Sequence, residues 1–390
     1  MSRHQEDPIT PMIYLDNNST TPLLPEVLDA MLPCFAEAFG NPSSIHGCGR
    51  RALAFVKDAR QQVASLLGCE PSEVIFTNGG TEGDNLALKG MLNPGDHLIV
   101  SAIEHSAILS TCHWLEKQGC EVTRVSVNTH GQVEPESIRA ALRSNTRLIS
   151  VMMANNETGV LQPVEEIGRI AAEADVWFHT DAVQAAGKVP IVTQTIGCDL
   201  LTISAHKIHG PQGVGALYLR RGTPLRPQLH GGHQERRRRP GTENVAGIAG
   251  FGCACQIAQT GLTDGSIEHI ATLRDRLETA LTRLPDTRVN GSGVPRVANT
   301  SNILFEHLGG DALVLALDEL DIAVSRGSAC SAGGGDPSGV LMAMGLTGQQ
   351  SRSSLRLSLG KQNTAAEIEA VLAAVPPCVS QLRHAVSSNP

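Results

Sequence analysis

The sequence predicts an α/β protein with a large domain built on a mostly parallel, seven-stranded sheet and a smaller α+β domain. Three observations support this prediction. Between about residues 70 and 220, short runs rich in β-branched residues alternate with amphipathic stretches. The first six runs begin 23 to 29 residues apart, which fits a strand, a crossover helix and the next parallel strand. After about residue 262 the pattern changes to a long charged helix and isolated short strands.

Prolines and the spacing of the runs locate the elements of the large domain. Pro135 and Pro163 mark helix starts, because the fixed backbone angle of proline fits the first helical turn. The seventh run follows the sixth by only 11 residues, too few for a helical crossover, so we predict that it is antiparallel to its neighbour. The predicted strands are residues 74–77, 97–100, 121–127, 147–153, 176–180, 199–204 and 215–220.

The smaller domain is predicted to contain a long helix at about residues 268–284 and short strands near residues 301–305 and 354–359. No linker rich in Pro, Ser or Gly separates the two parts of the chain. We therefore expect a hinge within residues 255–275 rather than independently moving domains. The predicted boundaries are residues 16–262 for the large domain and residues 1–15 with 263–390 for the small domain.

Composition excludes several classes of function. The 390 residues include 31 Lys and Arg against 39 Asp and Glu, a formal net charge of −8, and only 3% are aromatic, so direct nucleic-acid binding is not expected. No run of about 18 apolar residues occurs and the N-terminus lacks an apolar signal core, so we expect a soluble, cytoplasmic protein without a membrane segment. The ten cysteines form no Cys-x-x-Cys pair and are interpreted as reduced thiols.

Chemically versatile residues follow the predicted strands, at the carboxyl ends where ligands bind to an open parallel sheet. The first strand leads into residues 78–85, a Gly-rich loop expected to hold a phosphate on its backbone N–H groups before a helix at residues 86–91. The later strands are followed by polar side chains: Glu104 and His105; Asn155, Asn156 and Glu157; Asp181 and Gln184; Ser204, His206 and Lys207.

Each of these features has an ordinary structural interpretation on its own, since Gly-rich turns are common and most lysines are solvated. Their convergence at one sheet edge favours pyridoxal phosphate (PLP). Its aldehyde needs a lysine, its ring nitrogen a carboxylate and its phosphate a cradle of donors. Nicotinamide and triphosphate cofactors are disfavoured, because their glycine signatures are absent from the sequence. His206 and His209 lack further ligands at a readable spacing, so no metal site is predicted.

Ordered motifs along the sequence resemble those of the NifS/IscS-type cysteine desulfurases, PLP-dependent transferases of fold type I in the class V aminotransferase family. The resemblance spans nearly the whole chain. Its motifs lie at residues 14–22, 40–44, 79–82, 104–105, 155–157, 206–207, 241–244, 327–330 and 354–356.

This resemblance implies a role for each residue around the cofactor ring. Lys207 would bind the cofactor aldehyde covalently and would later move protons at the substrate Cα. Asp181 would pair with the ring nitrogen and Gln184 would bond the ring hydroxyl. His105 would lie on the ring face and act as a proton donor.

The resemblance also implies how phosphate and substrate are held. Asn156 would contact the cofactor and, with Arg356, the substrate carboxylate, a bidentate task that suits a guanidinium. Within one subunit the phosphate would be held by Gly80, Thr81, Ser204 and His206. The second subunit of a homodimer would contribute Thr242.

Cys330 is the residue that decides the implied function. It lies among small residues and three consecutive glycines in residues 326–335, which predicts a mobile loop carried by the small domain. An ordinary thiol is only about 3% ionised at neutral pH, so His105 or the cofactor would have to deprotonate it. No resident metal is expected, although Cys330 could transiently contact an iron–sulfur cluster.

The implied activity is conversion of L-cysteine to L-alanine, with the sulfur left on Cys330 as a persulfide for an acceptor such as an iron–sulfur scaffold. Nitrogenase maturation, transfer-RNA thiolation and DNA sulfur modification also remain open. A selenocysteine lyase or an aminotransferase of the same fold would not require Cys330. A non-catalytic sulfur-relay partner is disfavoured by the intact Lys207 and Asp181. Arg237 and Arg326 depart from the usual Gly and Ser of the family, which leaves partner specificity open.

Overall fold

The computed structural model of the chain describes residues 12–326 and 336–387. Its strands are β1 (Ile13–Tyr14), β2 (Val74–Thr77), β3 (His97–Ser101), β4 (Glu121–Val125), β5 (Thr146–Ser150), β6 (Trp177–Asp181), β7 (Leu200–Ser204), β8 (Gly215–Leu219), β9 (Thr287–Val289), β10 (Thr300–Phe305), β11 (Ile322–Ala323) and β12 (Ser354–Ser358). Its α-helices are α1 (Pro25–Ala36), α2 (Gly47–Leu67), α3 (Gly80–Met91), α4 (Ser106–Lys117), α5 (Pro135–Ala141), α6 (Val164–Glu173), α7 (Thr193–Ile196), α8 (Val245–Gly261), α9 (Ser266–Leu281), α10 (Gly310–Asp318), α11 (Gly339–Ala343), α12 (Gly348–Arg352) and α13 (Ala365–Ser387).

The large sheet contains seven strands in the order β2-β8-β7-β6-β5-β3-β4. The strands from β7 to β4 pair in parallel, whereas β8 is antiparallel to both of its neighbours, β7 and β2. The predicted seven-stranded, mostly parallel sheet is confirmed, and so is the antiparallel direction of its last strand. Because only β8 is reversed within this sheet, the carboxyl ends of the other six strands lie along one edge.

Both faces of the large sheet are buried except along its edge strand β4, as expected for parallel strands covered by helices. Side chains alternate between the faces with the period of two that a strand imposes. Phe76 and Ile99 pack in the apolar cluster that includes α2, α6 and α8, whereas Ile75 and Leu98 pack in the cluster that includes α3 and α4. This two-sided burial holds the sheet rigid and leaves its carboxyl edge as the place where polar groups can gather.

Several predicted boundaries are wrong in detail. The helix after the first strand of the large sheet begins at Gly80 and not at Leu86. Gly79 precedes it with a φ of 142°, a conformation that favours glycine, so the chain turns from strand to helix within a few residues. Pro163 is the N-cap residue of α6 rather than a residue of its first turn. The predicted strand 147–153 ends at Ser150, where the chain begins to leave the sheet edge.

The C-terminal part of the chain has a separate apolar cluster. In its antiparallel sheet β10 lies between β9 and β12, and β1 pairs in parallel with β11. Helices α9, α10 and α13 pack on this sheet around the same cluster. Leu15 belongs to this cluster and Leu262 packs against the cluster of the large sheet. The domain boundaries themselves stay a prediction.

Helix α13 is long and apolar enough over Ala365–Ala385 to cross a membrane by length and composition alone. The pair α8 and α9 meets the same criterion jointly but is bent by 74° at its break. The buried residues of α13, Ile368, Val371, Val375 and Val379, recur on one helical face and pack in the C-terminal cluster. This is the pattern of an amphipathic helix docked on a protein core.

A buried ion pair fastens the loop after β8 to the large sheet. Arg60 of α2 binds both carboxylate oxygens of Glu235 at 2.5 and 2.8 Å, and Glu235 also accepts the backbone N–H of Phe76 at 3.2 Å. Glu235, Arg236 and Arg237 all have positive φ, a strained conformation for residues with side chains. The ion pair therefore stabilises a segment that its backbone alone would disfavour.

Replacing Glu235 with alanine is expected to lower the free energy of unfolding by about 3 kcal/mol, because Arg60 would stay buried without its carboxylate partner. Chemical denaturation followed by circular dichroism measures this loss. The control, Glu165→Ala at an exposed position of α6, should change stability by less than about 0.5 kcal/mol. A Glu235→Ala protein as stable as the control would show that the pair does not hold the loop.

Candidate active site

A cavity of about 290 Å³ lies at the carboxyl edge of the large sheet. Its walls come from the ends of β6 and β7, the first turn of α3, the start of α4, the strand β12 and the segment after β1. Among the described residues, every site residue predicted from the sequence lines this cavity, except Thr242. The predicted residues that line it are Gly80, Thr81, His105, Asn156, Asp181, Gln184, Ser204, His206, Lys207 and Arg356.

Lys207 reaches the cavity from a short 3₁₀ turn that follows β7 directly. Its Nζ donates to the backbone carbonyl oxygens of Asn18 and Ser19, each at 2.6 Å. These carbonyls stabilise the ammonium and hold its nitrogen at the wall where the cavity meets the N-terminal segment. The amine is thereby placed at the wall of the cavity.

Asp181 and His105 stand on neighbouring parts of the same edge. Asp181 ends β6 and accepts the backbone N–H of Val183 at 2.9 Å. Burial raises the pKa of Asp181, and the charges of His105 and Lys207 oppose that shift. A cationic ligand atom beside Asp181 would therefore be favoured, because it would hold this buried carboxyl in its charged form.

The His105 ring has a defined proton arrangement. His105 is the N-cap of α4, and its Nδ1 accepts the backbone N–H of Ala107 at 3.2 Å. Burial is the largest cause of a lowered pKa for His105, and Lys207 adds to it. In the neutral ring the proton must then lie on Nε2, so His105 can donate a hydrogen bond into the cavity.

The opposite end of the cavity is built to receive an anion. Gly80 begins α3, a twelve-residue helix, and its first N–H groups have no partner within the helix. Gly80, Thr81 and Ser204 line the same cavity. The buried hydroxyl of Ser204 has no hydrogen-bond partner among residues 12–326 and 336–387. A Cβ on Gly80 would lie 2.9 Å from Cγ2 of Val183, so only glycine leaves this cradle open. Free helix N–H groups and an unpaired hydroxyl together fit a phosphate.

His206 borders the same end as a neutral side chain. Burial, with a smaller contribution from Lys207, lowers the pKa of His206 to about 4. Its Nδ1 lies 3.1 Å from the Thr20 hydroxyl, which orients the ring. At neutral pH His206 can therefore supply a hydrogen bond to the cavity but no charge.

Arg356 forms the wall contributed by β12. Its Nη2 donates to Asp16 at 2.7 Å and to the Ser19 hydroxyl at 2.8 Å, and its Nη1 donates to the backbone carbonyl of Asn156 at 3.0 Å. The side chain is only 2% exposed. These contacts fix the plane of the guanidinium at the cavity, beside Asn156, where it can meet the carboxylate of a small substrate.

Comparison with known proteins places this site in a family. The family model for class V aminotransferases matches residues 13–371. The chain belongs to the class V aminotransferase family. It is 48% identical over 376 residues to the cysteine desulfurase IscS of Methanosarcina thermophila, covering 95% of this chain and 93% of that protein.

Solved structures of the family share its architecture. A NifS-like protein superposes with a TM-score of 0.88 at 36% identity, covering 95% of this chain and all of that one. SspA in complex with cysteine superposes with a TM-score of 0.80 at 35% identity, covering 90% of this chain and all of that one. The predicted fold, fold type I of the PLP-dependent transferases, and the resemblance to NifS/IscS-type proteins are both confirmed.

Two predicted residues are not brought to the cavity by the described chain. Thr242 is exposed just before α8 and does not line the cavity of its own subunit. Cys330 lies outside the described residues. The roles proposed for both residues therefore stay predictions.

Several residues of the cavity were missed in the sequence. Asn18 and Ser19 follow β1, and their backbone carbonyls bind Lys207. Asp84 lies one turn into α3, and Met152 and Val183 border the ring-sized middle of the cavity. The polar run at residues 16–21 was the available signal, but it could not show which of its oxygens would face Lys207.

A buried polar cluster lies behind the cavity. Burial raises the pKa of Glu104 to about 8 and, with the nearby Asp181, raises the pKa of Asp84 well above its usual value. Burial also lowers the pKa of His179 to about 3, and its ring nitrogens contact the hydroxyls of Ser150 and Thr202 at 2.9 and 3.0 Å. Burial thus disfavours the charged forms of these side chains, whereas His105 and Lys207 favour the charged form of Asp181.

The neutral His179 predicts a pH dependence of stability. The folded pKa lies near 3 and the unfolded value near 6.5, so between these pH values only the unfolded state binds the proton and stability falls as the pH falls. The slope from this residue is about 1.4 kcal/mol per pH unit. In His179→Gln, the slope of the free energy of unfolding against pH should be smaller by about 1.4 kcal/mol per pH unit between pH 6 and 4. Parallel slopes for both proteins in urea titrations would contradict the assignment.

Proposed function

We propose that this protein is a PLP-dependent cysteine desulfurase that converts L-cysteine to L-alanine and transfers the sulfur to Cys330. The observation that carries the proposal is the arrangement of Lys207, Asp181 and an anion cradle on one sheet edge. Membership of a family whose relatives are named cysteine desulfurases supports the substrate. So does the structural neighbour described in complex with cysteine.

The residues present fit PLP. Gly80, Thr81, Ser204 and His206 would hold the phosphate, since they combine free N–H groups, an unpaired hydroxyl and a neutral imidazole. Asp181 would hold the ring nitrogen and Lys207 the aldehyde carbon. When bound, PLP supplies an electron sink for the negative charge that develops at the substrate Cα.

The chain itself supplies the proton movements. Lys207 takes the proton from the substrate Cα once its amine is released, and the carbonyls of Asn18 and Ser19 stabilise the resulting ammonium. His105, at the N-cap of α4, would act as a proton donor through its Nε2–H. The walls around these groups are largely buried, so water is kept from competing for the proton.

Substrate orientation is assigned to Arg356 and Asn156. The guanidinium binds the carboxylate of L-cysteine, while Asp16 and Ser19 keep its plane fixed during the reaction. Asn156 lines the cavity next to this contact, and its backbone carbonyl also holds Nη1 of Arg356. A substrate held there by its carboxylate would present its Cα to Lys207, which lines the same cavity.

Sulfur transfer is assigned to Cys330. Its thiolate attacks the substrate sulfur, an S–S bond forms as the C–S bond breaks, and the electron pair goes to the carbon. Protonation of that carbon and return of a proton to Cα by Lys207 give L-alanine, and the sulfur remains on Cys330 as a persulfide. An acceptor protein, such as an iron–sulfur scaffold, would then collect it, and we expect this to occur in the cytoplasm.

Replacing Cys330 with serine should separate the two halves of the reaction. The variant is expected to bind L-cysteine with the spectral change of the wild type, yet to release sulfide at least about 100-fold more slowly, because a hydroxyl cannot form a persulfide. Assaying alanine and sulfide together with a reductant measures both. The control is Cys253→Ser, whose half-buried thiol contacts the backbone of Glu26. An unchanged rate in Cys330→Ser would favour the lyase alternative.

We also propose that two chains complete each site. The exposed face of α1 and the segment after it present large apolar side chains, with Phe35, Phe39 and Ile45 exposed by 65%, 69% and 91%. Such a patch on a single chain indicates an interface. A second subunit docked there could bring its Thr242 to the phosphate end of the cavity, which opens to the outside near Gly80.

The shared site predicts that assembly and activity are lost together. Phe35→Glu should convert the dimer to monomers and weaken PLP binding by about tenfold or more, because charge would be buried in an apolar interface. Analytical ultracentrifugation and a PLP titration measure the two effects. Leu315→Glu, on the exposed face of α10, is the control and should do neither. A monomer with full activity would contradict the proposal.

A further inference from the structure

Lys188 is a partly buried basic side chain that none of the roles above uses. It lies four residues after Gln184, in the turns that follow β6, between the active-site cavity and a small neighbouring cavity of about 80 Å³. Its Nζ donates to the side-chain oxygen of Gln184 at 2.7 Å and to the side-chain oxygen of Asn18 at 3.2 Å. Both acceptors belong to residues that line the active-site cavity.

The Lys188 contact decides how the Gln184 amide is oriented. An ammonium can only donate hydrogen bonds, so the amide atom that faces it must be the carbonyl oxygen. The amide nitrogen then faces the other way, where it donates one hydrogen to the backbone carbonyl of Asn18 at 2.9 Å. Its second hydrogen remains available for an acceptor in the cavity. A flipped amide would instead present an oxygen to the cavity.

Asn18 reinforces this arrangement from the other side. Its side-chain oxygen accepts hydrogen bonds from both Lys188 and Asn299, at 3.2 and 3.0 Å, so its own amide is oriented as well. Its backbone oxygen accepts from both Gln184 and Lys207. The orientation of Gln184 is thus tied to the position of the reactive lysine through a shared acceptor.

The charge state of Lys188 does not undo the arrangement. Burial, followed by the positive charges of Lys207 and Arg356, lowers the pKa of Lys188 to about 7. His209 and Lys361 face it from the side of the smaller cavity. A neutral amine still carries two N–H groups for the oxygens of Gln184 and Asn18, although its lone pair could also accept a hydrogen bond. The backbone carbonyl of Asn18 still requires an N–H from Gln184, so the Gln184 oxygen continues to face Lys188.

We propose that Lys188 is a positioning residue for PLP, because its amino group fixes the Gln184 amide with the N–H side toward the ring hydroxyl of the cofactor. The inference rests on the proposed function, since it requires PLP in the cavity with its ring hydroxyl beside Gln184. It assigns Lys188 no contact with substrate or cofactor. Its effect on the cofactor is transmitted through Gln184.

The test is a double-mutant cycle on holoenzyme, with PLP affinity and the visible absorption of bound PLP as readouts. Lys188→Met should weaken PLP binding by about tenfold, as expected for one lost hydrogen bond, and should shift the visible band as Gln184→Leu does. In the Gln184→Leu background the same change should weaken binding by less than about twofold, because the orienting contact has no amide to act on. Lys188→Arg, which can also only donate, should bind PLP within about threefold of the wild type.

Matched controls separate this role from a loss of packing. Lys89→Met removes an ammonium that stacks on Trp114 at 4.6 Å, away from the cavity, and should leave PLP affinity and the visible band unchanged. If Lys188→Met does not fold, Lys188→Gln replaces it in the cycle. Equal losses of affinity in both backgrounds, or a visible band that shifts differently from that of Gln184→Leu, would overturn the inference. A wild-type protein that binds no PLP would overturn the proposed function itself.

Discussion

Six strands of the large sheet run in the same direction, and the site depends on that constraint. Their carboxyl ends meet along one edge, so residues far apart in the sequence become neighbours there. Asp181 ends β6, Ser204 ends β7, and Gly80 follows β2 after a single turn. Since both faces of the sheet are buried under helices, this edge is where their polar groups can face a ligand.

The geometry of the cavity also depends on the short segment that joins the two apolar clusters. Leu15 belongs to the C-terminal cluster, whereas Asn18 and Ser19 bind Lys207 beside the large sheet. Arg356, from β12, is held by the same segment through Ser19. The cofactor end and the substrate end of the cavity are therefore coupled through this stretch of backbone, and a movement of the C-terminal part would carry Arg356 with it.

Local signals predicted much of this architecture, and long-range contacts account for what was missed. Val74–Thr77 is an uninterrupted run of β-branched and aromatic residues followed by Asn78 and two glycines, so the strand was placed correctly. The start of α3 was misplaced because residues 80–85 contain two glycines, which weaken any local helix signal. The role of Lys188 had no local signal in the sequence, since its acceptor Asn18 lies 170 residues away.

The central claim is that Lys207 is the residue to which PLP binds covalently at this sheet edge. Borohydride reduction of the PLP-loaded protein, followed by digestion and mass spectrometry, tests it most directly. The account predicts one reduced PLP adduct per chain, located on Lys207, and none on the neighbouring Lys188. An adduct on another lysine, or no adduct in a protein that still desulfurates L-cysteine, would contradict it.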